Sequence, residues 1–312
     1  MKYVDLHCDA LTAAGEKDLT DASLQAGLKK LKNGECAVQC FAIFTQGDGA
    51  ALCAEQRLSY FAEQMQKFGK DVLPVRQYFD FAYCLNSGIT GAVLTIENLG
   101  FIGDDLKKIE KLAASGVKMA SLVWNFENSL AYPNLKFDGG KPLFSAREDR
   151  GLKPLGKQAV EVLDGAKIII DISHLSDGGA YDILEGRKIP IVASHSNAAA
   201  VWPVCRNLTD ELIKKIADCG GVVGVNYCKD FLGEGETFDC VLRHINNMIK
   251  VVGEDLIALG SDFDGIPAPP DLEDSTKVPY LLSYLSDNGI SGKLLEKLCY
   301  KNFARVFREV CT

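Results

Sequence analysis

Short apolar runs rich in β-branched residues alternate along this chain with segments whose apolar residues recur at helical spacing. Eight runs have the composition of strands, at 2–9, 36–45, 91–100, 116–124, 166–175, 189–196, 220–227 and 255–265. Helical spacing occurs at 54–69, 104–115, 155–165, 209–221, 241–253 and 291–310. Strands that alternate with helices pair in parallel through crossover connections, so eight such strands predict a closed α/β barrel, the (β/α)₈ TIM barrel.

The chain shows no boundary between domains. Its proline-containing stretch at 267–275 is too short to join two domains and has the composition of a loop. No Gly-x-Gly-x-x-Gly follows the first strand, which argues against an open sheet that binds a dinucleotide. We therefore predict a single domain over residues 1–312.

Charge and cysteine content bear on partners and location. The formal net charge of −8 disfavours nucleic-acid binding and gives no attraction to an anionic membrane surface. No apolar run is long enough to span a bilayer, and the chain starts on a strand-like run without the pattern of a signal peptide. The eleven cysteines are scattered, odd in number and free of any Cys-x-x-Cys pair. These features predict a cytoplasmic protein with no membrane or nucleic-acid partner.

Histidines and acids cluster at the ends of the predicted strands. Three of the four histidines end a strand, and three acids are placed in the same way: His7, His174, His195, Asp9, Glu97 and Asp262. The carboxyl ends of barrel strands converge on one mouth, where the catalytic groups of such barrels lie. Imidazole and carboxylate ligands suit Zn²⁺ or Mn²⁺. The pattern predicts a metal site, although each histidine taken alone is better explained as a hydrogen-bonded core residue.

The stretch VDLHCDAL at 4–11 has a second interpretation, a nucleophilic cysteine beside its base. Successive side chains of a strand point to opposite faces, so His7 and Asp9 share one face and Cys8 points away from both. A thiolate nucleophile needs a base on its own side, which this alternation denies to Cys8. The stretch therefore favours a pair of metal ligands over a reactive thiol.

Two metal ions would account for the number of ligands. One carboxylate, Glu97, could bridge them, and two ions about 3.5 Å apart can share a hydroxide and polarise a carbonyl group. Asp262 would then be free to move protons between that water and the leaving group.

Nine stretches together resemble the membrane dipeptidase (renal dipeptidase) family, within the wider metal-dependent amidohydrolase barrels. They are DLHCD, TIEN, RGLKPLGKQAVEVL, IIIDISHLS, PIVASHSNAAAV, CRNLTDELIKKIA, GGVVGVN, LGSDFDGIP and NFARVF. The likeness runs almost end to end and is densest over residues 150–310. It implies a TIM barrel of the metal-dependent hydrolase type that hydrolyses dipeptides, some of them with a D-residue at the C-terminal position.

The resemblance also implies a metal centre with five ligands. His7 and Asp9 would bind one metal, His174 and His195 would bind the other, and Glu97 would bridge the two. The cofactor is then two Zn²⁺ ions, with Mn²⁺ or another divalent metal as the alternative. A hydroxide that bridges the metals would attack the peptide bond. The family further suggests a homodimer.

Four further residues receive roles by the same resemblance. Asp262, the first acid of SDFDG, would carry the catalytic proton. Arg206 would bind the C-terminal carboxylate of the substrate through its fork of donors, and Tyr227 would also bind substrate. Trp124 is predicted to contact substrate too, and it stands where the fourth strand of the family usually ends in a histidine that helps to hold the scissile oxygen. An indole N–H can donate one hydrogen bond but can accept none.

Three functions are compatible with these residues. The first is a two-zinc dipeptidase. The second is a metal-binding barrel that binds a peptide-like ligand with weak or retuned amidohydrolase activity, because Trp124 replaces the histidine. The third is a barrel phosphoesterase or nuclease, which the acidic chain disfavours and which usually begins with His-x-His rather than His-x-Asp.

Overall fold

Eight parallel strands close into a barrel in the computed structural model, which describes residues 1–312. The protein has eleven strands in all, which in chain order are β1 (Tyr3–Cys8), β2 (Cys36–Phe44), β3 (Val72–Pro74), β4 (Thr90–Glu97), β5 (Val117–Ser121), β6 (Lys136–Asp138), β7 (Lys141–Leu143), β8 (Ile169–Asp171), β9 (Val192–Ala193), β10 (Val222–Val225) and β11 (Ile257–Leu259). The ring runs β1–β2–β4–β5–β8–β9–β10–β11 and closes where β11 pairs with β1. The predicted TIM barrel is confirmed, and its strands lie in the eight apolar runs of the sequence.

Three short strands lie outside the ring, and the sequence pattern did not indicate them. β3 pairs with the start of β4, where Val72 lies opposite Thr90. β6 and β7 form an antiparallel hairpin in which Phe137 lies opposite Pro142. Each of these strands has three residues, which is too few for a period to show.

Thirteen α-helices connect the strands. They are α1 (Ala10–Ala13), α2 (Leu28–Asn33), α3 (Ala50–Lys67), α4 (Tyr78–Asn86), α5 (Lys107–Ser115), α6 (Pro154–Gly165), α7 (Asp177–Leu184), α8 (Asp210–Asp218), α9 (Lys229–Leu232), α10 (Thr237–Val252), α11 (Val278–Asp287), α12 (Gly292–Glu296) and α13 (Asn302–Val310). None of these helices combines the length and the hydropathy needed to cross a membrane.

The predicted helices are present, with one change in the last. α8 begins where the Thr209 hydroxyl accepts a hydrogen bond from the Leu212 N–H at 3.2 Å, which makes Thr209 its N-cap. The tail was predicted as one helix over 291–310. It consists instead of α12 and α13 joined by a π-helical turn at Lys297–Lys301. Asn302 follows this turn and donates to the carbonyls of Glu254 and Ile257, which ties the tail to the barrel.

The interior of the barrel is a packed apolar core. Every strand of the ring contributes to one buried cluster, with Val4, Leu6, Val38, Cys40, Val93, Met119, Ile169, Val192, Val222 and Ala258. Phe303 and Phe307 of α13 belong to the same cluster and close it. Because the interior is filled, polar side chains can gather only at the mouth beyond the strand ends.

His244 on α10 is a buried histidine that holds two loops together. Its Nδ1 accepts a hydrogen bond from the Ala198 N–H at 3.1 Å, and its Nε2 donates to the Leu232 carbonyl at 3.1 Å. This pairing requires a neutral ring, because a protonated Nδ1 cannot accept. Burial lowers the pKa of His244 to about 4.

Acid is expected to destabilise the fold through His244. Between about pH 6.5 and pH 4 the unfolded chain binds a proton at this residue and the folded chain does not, so the free energy of unfolding falls as the pH drops. The shift corresponds to about 3 kcal/mol at the acid end. Urea unfolding of His244→Gln should show a shallower pH dependence across this window than the wild type. An identical pH dependence in the two proteins would contradict this role.

Candidate metal centre

The ends of five barrel strands bring the predicted metal ligands and Asp262 to one mouth. These residues end β1, β4, β8, β9 and β11 or follow them within three residues, and all are buried: His7, Asp9, Glu97, His174, His195 and Asp262. Above them lies a cavity of about 330 Å³ whose lining includes Phe44, Trp124 and Phe231. The sequence-predicted cluster therefore exists as a spatial cluster with access to a pocket.

Five of these side chains form two adjoining groups. In the first, Nε2 of His7 lies 3.3 Å from Asp9 Oδ2 and 3.7 Å from Asp262 Oδ1. In the second, the Nε2 atoms of His174 and His195 lie 2.9 Å apart. The rings of His7 and His195 join the groups, with centroids 3.9 Å apart.

Glu97 faces both groups. Its Oε1 lies 3.0 Å from Nε2 of His174, and its Oε2 lies 3.6 Å from Nε2 of His7. The first group offers three possible ligand atoms within 4.8 Å of one another, from His7, Asp9 and Asp262. The second group offers three as well once Glu97 is added to its two histidines. A carboxylate that offers one oxygen to each group is placed to be shared by two cations.

The tautomers of His174 and His195 turn their Nε2 lone pairs toward each other. The Ser194 hydroxyl donates to Asp171 Oδ2 at 2.5 Å, so its oxygen accepts the Nδ1–H of His195 at 2.7 Å. Asn125 Oδ1 accepts the Nδ1–H of His174 at 2.8 Å. Burial lowers the pKa of both histidines well below the usual value, which keeps the rings neutral. Two facing lone pairs repel each other unless a cation binds them, so this group fits a metal ion.

The first group carries an excess of negative charge. Burial alone would lower the pKa of His7, but the charges of Asp9, Glu97 and Asp262 outweigh burial and raise it to about 10. Burial raises the pKa of Glu97 well above its usual value, and the charge of Asp9 raises it further. The Oδ1 atom of Asp9 is buried without a hydrogen-bond partner. These carboxylates attract a cation, and a divalent metal would displace the proton from His7, since a ligating imidazole is neutral.

Ser194 is expected to support metal binding without touching the metal. Its hydroxyl fixes the tautomer and orientation of His195 through the bond to Nδ1. Ser194→Ala should weaken metal affinity by about 10- to 100-fold in a competition titration with a chromophoric chelator.

Ser196→Ala is the matched control for this experiment. Ser196 is the other neighbour of His195 and its buried hydroxyl has no hydrogen-bond partner, so its removal should leave metal affinity within about threefold. Equal effects of the two substitutions would show that the Ser194 bond does not orient His195.

Asp262 is held in an uncommon backbone conformation. Its φ is 65°, and His174 and Asp264 at the same mouth have φ of 69° and 67°. Left-handed conformations cost non-glycine residues about 1–3 kcal/mol each and are concentrated at functional sites. Asn226 Nδ2 donates to Asp262 Oδ2 at 2.9 Å and fixes the carboxyl group. Burial raises the pKa of Asp262, so this carboxyl group can hold a proton that an exposed aspartate would lose.

Arg206 lies against the second ligand group and not on the cavity wall. Its Nη2 donates to His174 Nε2 at 3.3 Å and to the His195 carbonyl at 3.3 Å. Since arginine has no acceptor, the first contact agrees with a lone pair on that nitrogen. Nε and Nη1 of Arg206 are buried without partners. A buried cation with unused donors is costly on its own and is suited to an anionic ligand.

The two aromatic residues predicted to bind substrate differ in position. Trp124 lines the cavity, with its ring centroid 4.8 Å from that of Phe44 and 6.1 Å from that of His174. Tyr227 does not reach the cavity. It is 1% exposed and packs edge-on against Phe263 in the layer outside the barrel. The prediction that Tyr227 contacts substrate is corrected, because Asn226 beside it takes the inward position.

Several residues that shape the site were not predicted from the sequence. They are Asn125, Asp171, Ser194 and Asn226, which hold His174, His195 or Asp262 in place. Asp171 offered one signal, since it is a carboxylate inside the apolar run IIIDI. The thiol of Cys8 is fully buried on the other side of β1, and burial raises its pKa well above the usual value, in agreement with its predicted inertness.

Comparisons with known proteins identify relatives over the whole chain. The model of the membrane dipeptidase family (peptidase family M19) matches residues 1–312. A protein of unknown function from the pqqA 5′ region of Klebsiella pneumoniae is 34% identical over 238 residues, which cover 74% of this chain and 86% of that protein. An uncharacterised dipeptidase of Schizosaccharomyces pombe is 31% identical over 72% of this chain and 54% of its own length.

Two solved structures extend the likeness to the fold. The dipeptidase AC, a metallopeptidase of family M19, superposes with a TM-score of 0.92 at 27% identity and covers 99% of this chain and 98% of its own. A Rhodobacter sphaeroides metallopeptidase, liganded with a phosphinate mimic of the dipeptide L-Ala-D-Ala, superposes with a TM-score of 0.87 at 26% identity, and the match covers 99% of both chains. With the family model matched from the first residue to the last and a buried histidine–carboxylate cluster at the barrel mouth, this chain is a peptidase and belongs to the membrane dipeptidase family, M19.

Proposed function

We propose that this protein is a zinc-dependent dipeptidase that binds two Zn²⁺ ions, with Mn²⁺ as the alternative metal. The observation that carries the proposal is the pair of ligand groups that share Glu97. Mixed histidine and carboxylate ligands suit zinc. Bound divalent cations supply Lewis acidity, which polarises a carbonyl oxygen and makes water a stronger nucleophile at neutral pH.

Arg206 limits the substrate to dipeptides in this proposal. One edge of its guanidinium, at the unpartnered Nε or at the unpartnered Nη1, would donate to the C-terminal carboxylate of the substrate. Because its Nη2 lies 3.3 Å from Nε2 of His174, a carboxylate bound by Arg206 would lie beside the second ligand group. A longer peptide would place a further residue where the guanidinium requires a carboxylate.

Asp262 is the proton carrier of the proposed reaction. Its Oδ1 lies 3.7 Å from His7 Nε2 within the first group, and Asn226 holds its Oδ2. Its other oxygen is free to take a proton from the attacking water and deliver it to the amine that leaves. The raised pKa of Asp262 suits a group that must both accept and release a proton near neutral pH.

A D-residue at the C-terminal position is part of the proposal. The support is the Rhodobacter sphaeroides relative, whose structure holds a mimic of L-Ala-D-Ala in a barrel that matches this chain with a TM-score of 0.87. We therefore expect this protein to accept both L-Ala–L-Ala and L-Ala–D-Ala.

A panel of dipeptides tests the proposed function. Protein loaded with Zn²⁺ is assayed with L-Ala–L-Ala, L-Ala–D-Ala, an N-acetyl amino acid, a tripeptide and a β-lactam. We expect release of free amino acids from the dipeptides and none from the tripeptide. Failure to cleave any dipeptide while metal is bound would reject the proposal.

Binding with weak turnover is the second candidate function, and Trp124 favours it. The indole lies 6.1 Å from the His174 ring and cannot accept a hydrogen bond from the substrate. In this case isothermal titration would detect dipeptide binding to the metal-loaded protein, while the panel would show turnover at least 10³-fold below a typical kcat of about 10 s⁻¹.

Location and assembly belong to the proposal as well. We propose a cytoplasmic protein, supported by eleven free cysteines, ten of them buried. A homodimer is proposed on the family resemblance, and light scattering during gel filtration measures it directly. Fractionation of cells that produce the protein tests the location.

A further inference from the structure

Four aromatic rings form a continuous row that leads from the metal-ligand cluster to the protein surface. Trp124 meets Phe44 at a centroid distance of 4.8 Å inside the cavity. Outward from Trp124, Phe126 follows at 5.9 Å, and Phe137 of β6 stacks on Phe126 at 5.0 Å with the ring planes 6° apart. We call Phe44, Trp124, Phe126 and Phe137 the aromatic row.

The outer end of the aromatic row is exposed. Phe126 is 48% and Phe137 is 38% exposed, and Leu143 of the same hairpin is 37% exposed. Exposed apolar side chains that continue the wall of a pocket are typical of a binding surface, because leaving them in water is unfavourable. They adjoin the cavity through Trp124, which lines it, so a ligand that extends outward over Trp124 would meet them.

The segment that carries the row is held firmly to the metal-ligand strands. Asn134 donates its N–H to the carbonyl of His174 at 2.7 Å, and Ser176 donates to the carbonyl of Tyr132 at 3.0 Å. Asn128 Oδ1 accepts from the N–H of Leu130 at 2.8 Å. The backbone between Phe126 and Phe137 is therefore tied to the strand ends, and an ordered backbone reduces the entropy lost when a ligand packs on the rings.

We propose that the aromatic row is a subsite that binds a large apolar side chain of the substrate, so that the enzyme prefers dipeptides with an aromatic or branched aliphatic residue. The proposal rests on the dipeptidase function proposed above. The inner ring, Trp124, lies beside His174, so a side chain near the reacting bond reaches the row directly. Flat rings on the row gain from stacked or edge contacts as well as from burial.

The test compares kcat/KM for Ala–Phe, Phe–Ala, Ala–Leu and Leu–Ala with that for Ala–Ala, on zinc-loaded protein. We expect at least a tenfold preference for one of the large dipeptides over Ala–Ala in the wild type. The double variant Phe126→Ala/Phe137→Ala should reduce this selectivity ratio about tenfold, chiefly through KM. Phe79→Ala is the matched control, since Phe79 is 74% exposed on α4, outside the row, and its removal should leave the ratio unchanged.

One result would overturn the subsite, a selectivity ratio that the double variant retains. If the double variant retains the ratio and also changes from dimer to monomer, the row is an interface between two copies. If the wild type cleaves no dipeptide, the proposed function fails separately. Isothermal titration then decides on the subsite, by whether the double variant loses the tighter binding of Phe-containing dipeptides.

Discussion

Asp262→Asn is expected to lower kcat by about 10³-fold, or about 4 kcal/mol, while the protein keeps its metal. Asparagine has nearly the shape of aspartate and can still accept the hydrogen bond from Asn226, but it cannot carry a proton. Steady-state kinetics with Ala–Ala, together with elemental analysis of the same sample, separate loss of proton transfer from loss of metal.

Asp264→Asn is the matched control for this variant. Asp264 has the same left-handed backbone and lines the same cavity. Its carboxylate accepts hydrogen bonds from the N–H groups of Gln25 at 2.7 Å and Ala26 at 2.9 Å, so it serves the loop and not the reaction. Asp264→Asn should lower kcat far less than Asp262→Asn does. Equal losses in the two variants, or a fully active Asp262→Asn enzyme, would remove Asp262 from its proposed role.

Glu97→Gln is expected to abolish binding of at least one metal per chain and to lower activity by more than about 10³-fold. A neutral amide cannot serve as the shared anionic ligand, although it fills the same space. Both ligand groups lose a charged oxygen, since Glu97 faces His7 with one oxygen and His174 with the other. Elemental analysis after dialysis against excess Zn²⁺ measures the loss.

The same variant should have the opposite effect on the stability of metal-free protein. Wild-type protein in chelator has Glu97 buried beside Asp9, and burial with this charge raises its pKa, which marks the anion as unfavourable there. In chelator, Glu97→Gln should be at least as stable as the wild type. With free metal at about 1,000 times its Kd, the wild type should gain about 4 kcal/mol that the variant does not. Urea unfolding in the two conditions should therefore show the order of stability reversing. A wild type that is the more stable in both would contradict the electrostatic account.

The barrel could be predicted because most of its buried parallel strands are apolar runs, while β1 alternates apolar with polar residues as a strand does. Two of the helices that were missed, α4 and α7, lack a clear helical pattern. α4 exposes Phe79 and Tyr83, so its apolar residues do not keep to one face. α7 contains two adjacent glycines, which disfavour a helix in isolation. Gly178 is required by packing, since a Cβ there would lie 2.0 Å from the Asp149 carbonyl oxygen, and that contact is invisible in the sequence.

The metal ligands could be predicted because a barrel gathers its strand ends, and this rule needs no knowledge of side-chain contacts. The supporting bonds could not. The hydrogen bond from Ser194 to Asp171 joins the ends of two different strands, and it forms only in the register in which β8 and β9 pair. Side-chain alternation explains one success and one failure: it turns Cys8 away from the cluster, and it also turns Tyr227 away once Asn226 faces inward.

The central claim is that the cluster around Glu97 binds two divalent metals and that these support dipeptide hydrolysis. The most direct measurement is reconstitution of metal-free protein with Zn²⁺, following bound metal and Ala–Ala hydrolysis in the same samples. We predict no activity without metal and a rise that saturates at two bound ions per chain. Hydrolysis that is unchanged by chelation, or full occupancy by two ions with no hydrolysis of any dipeptide, would contradict the account.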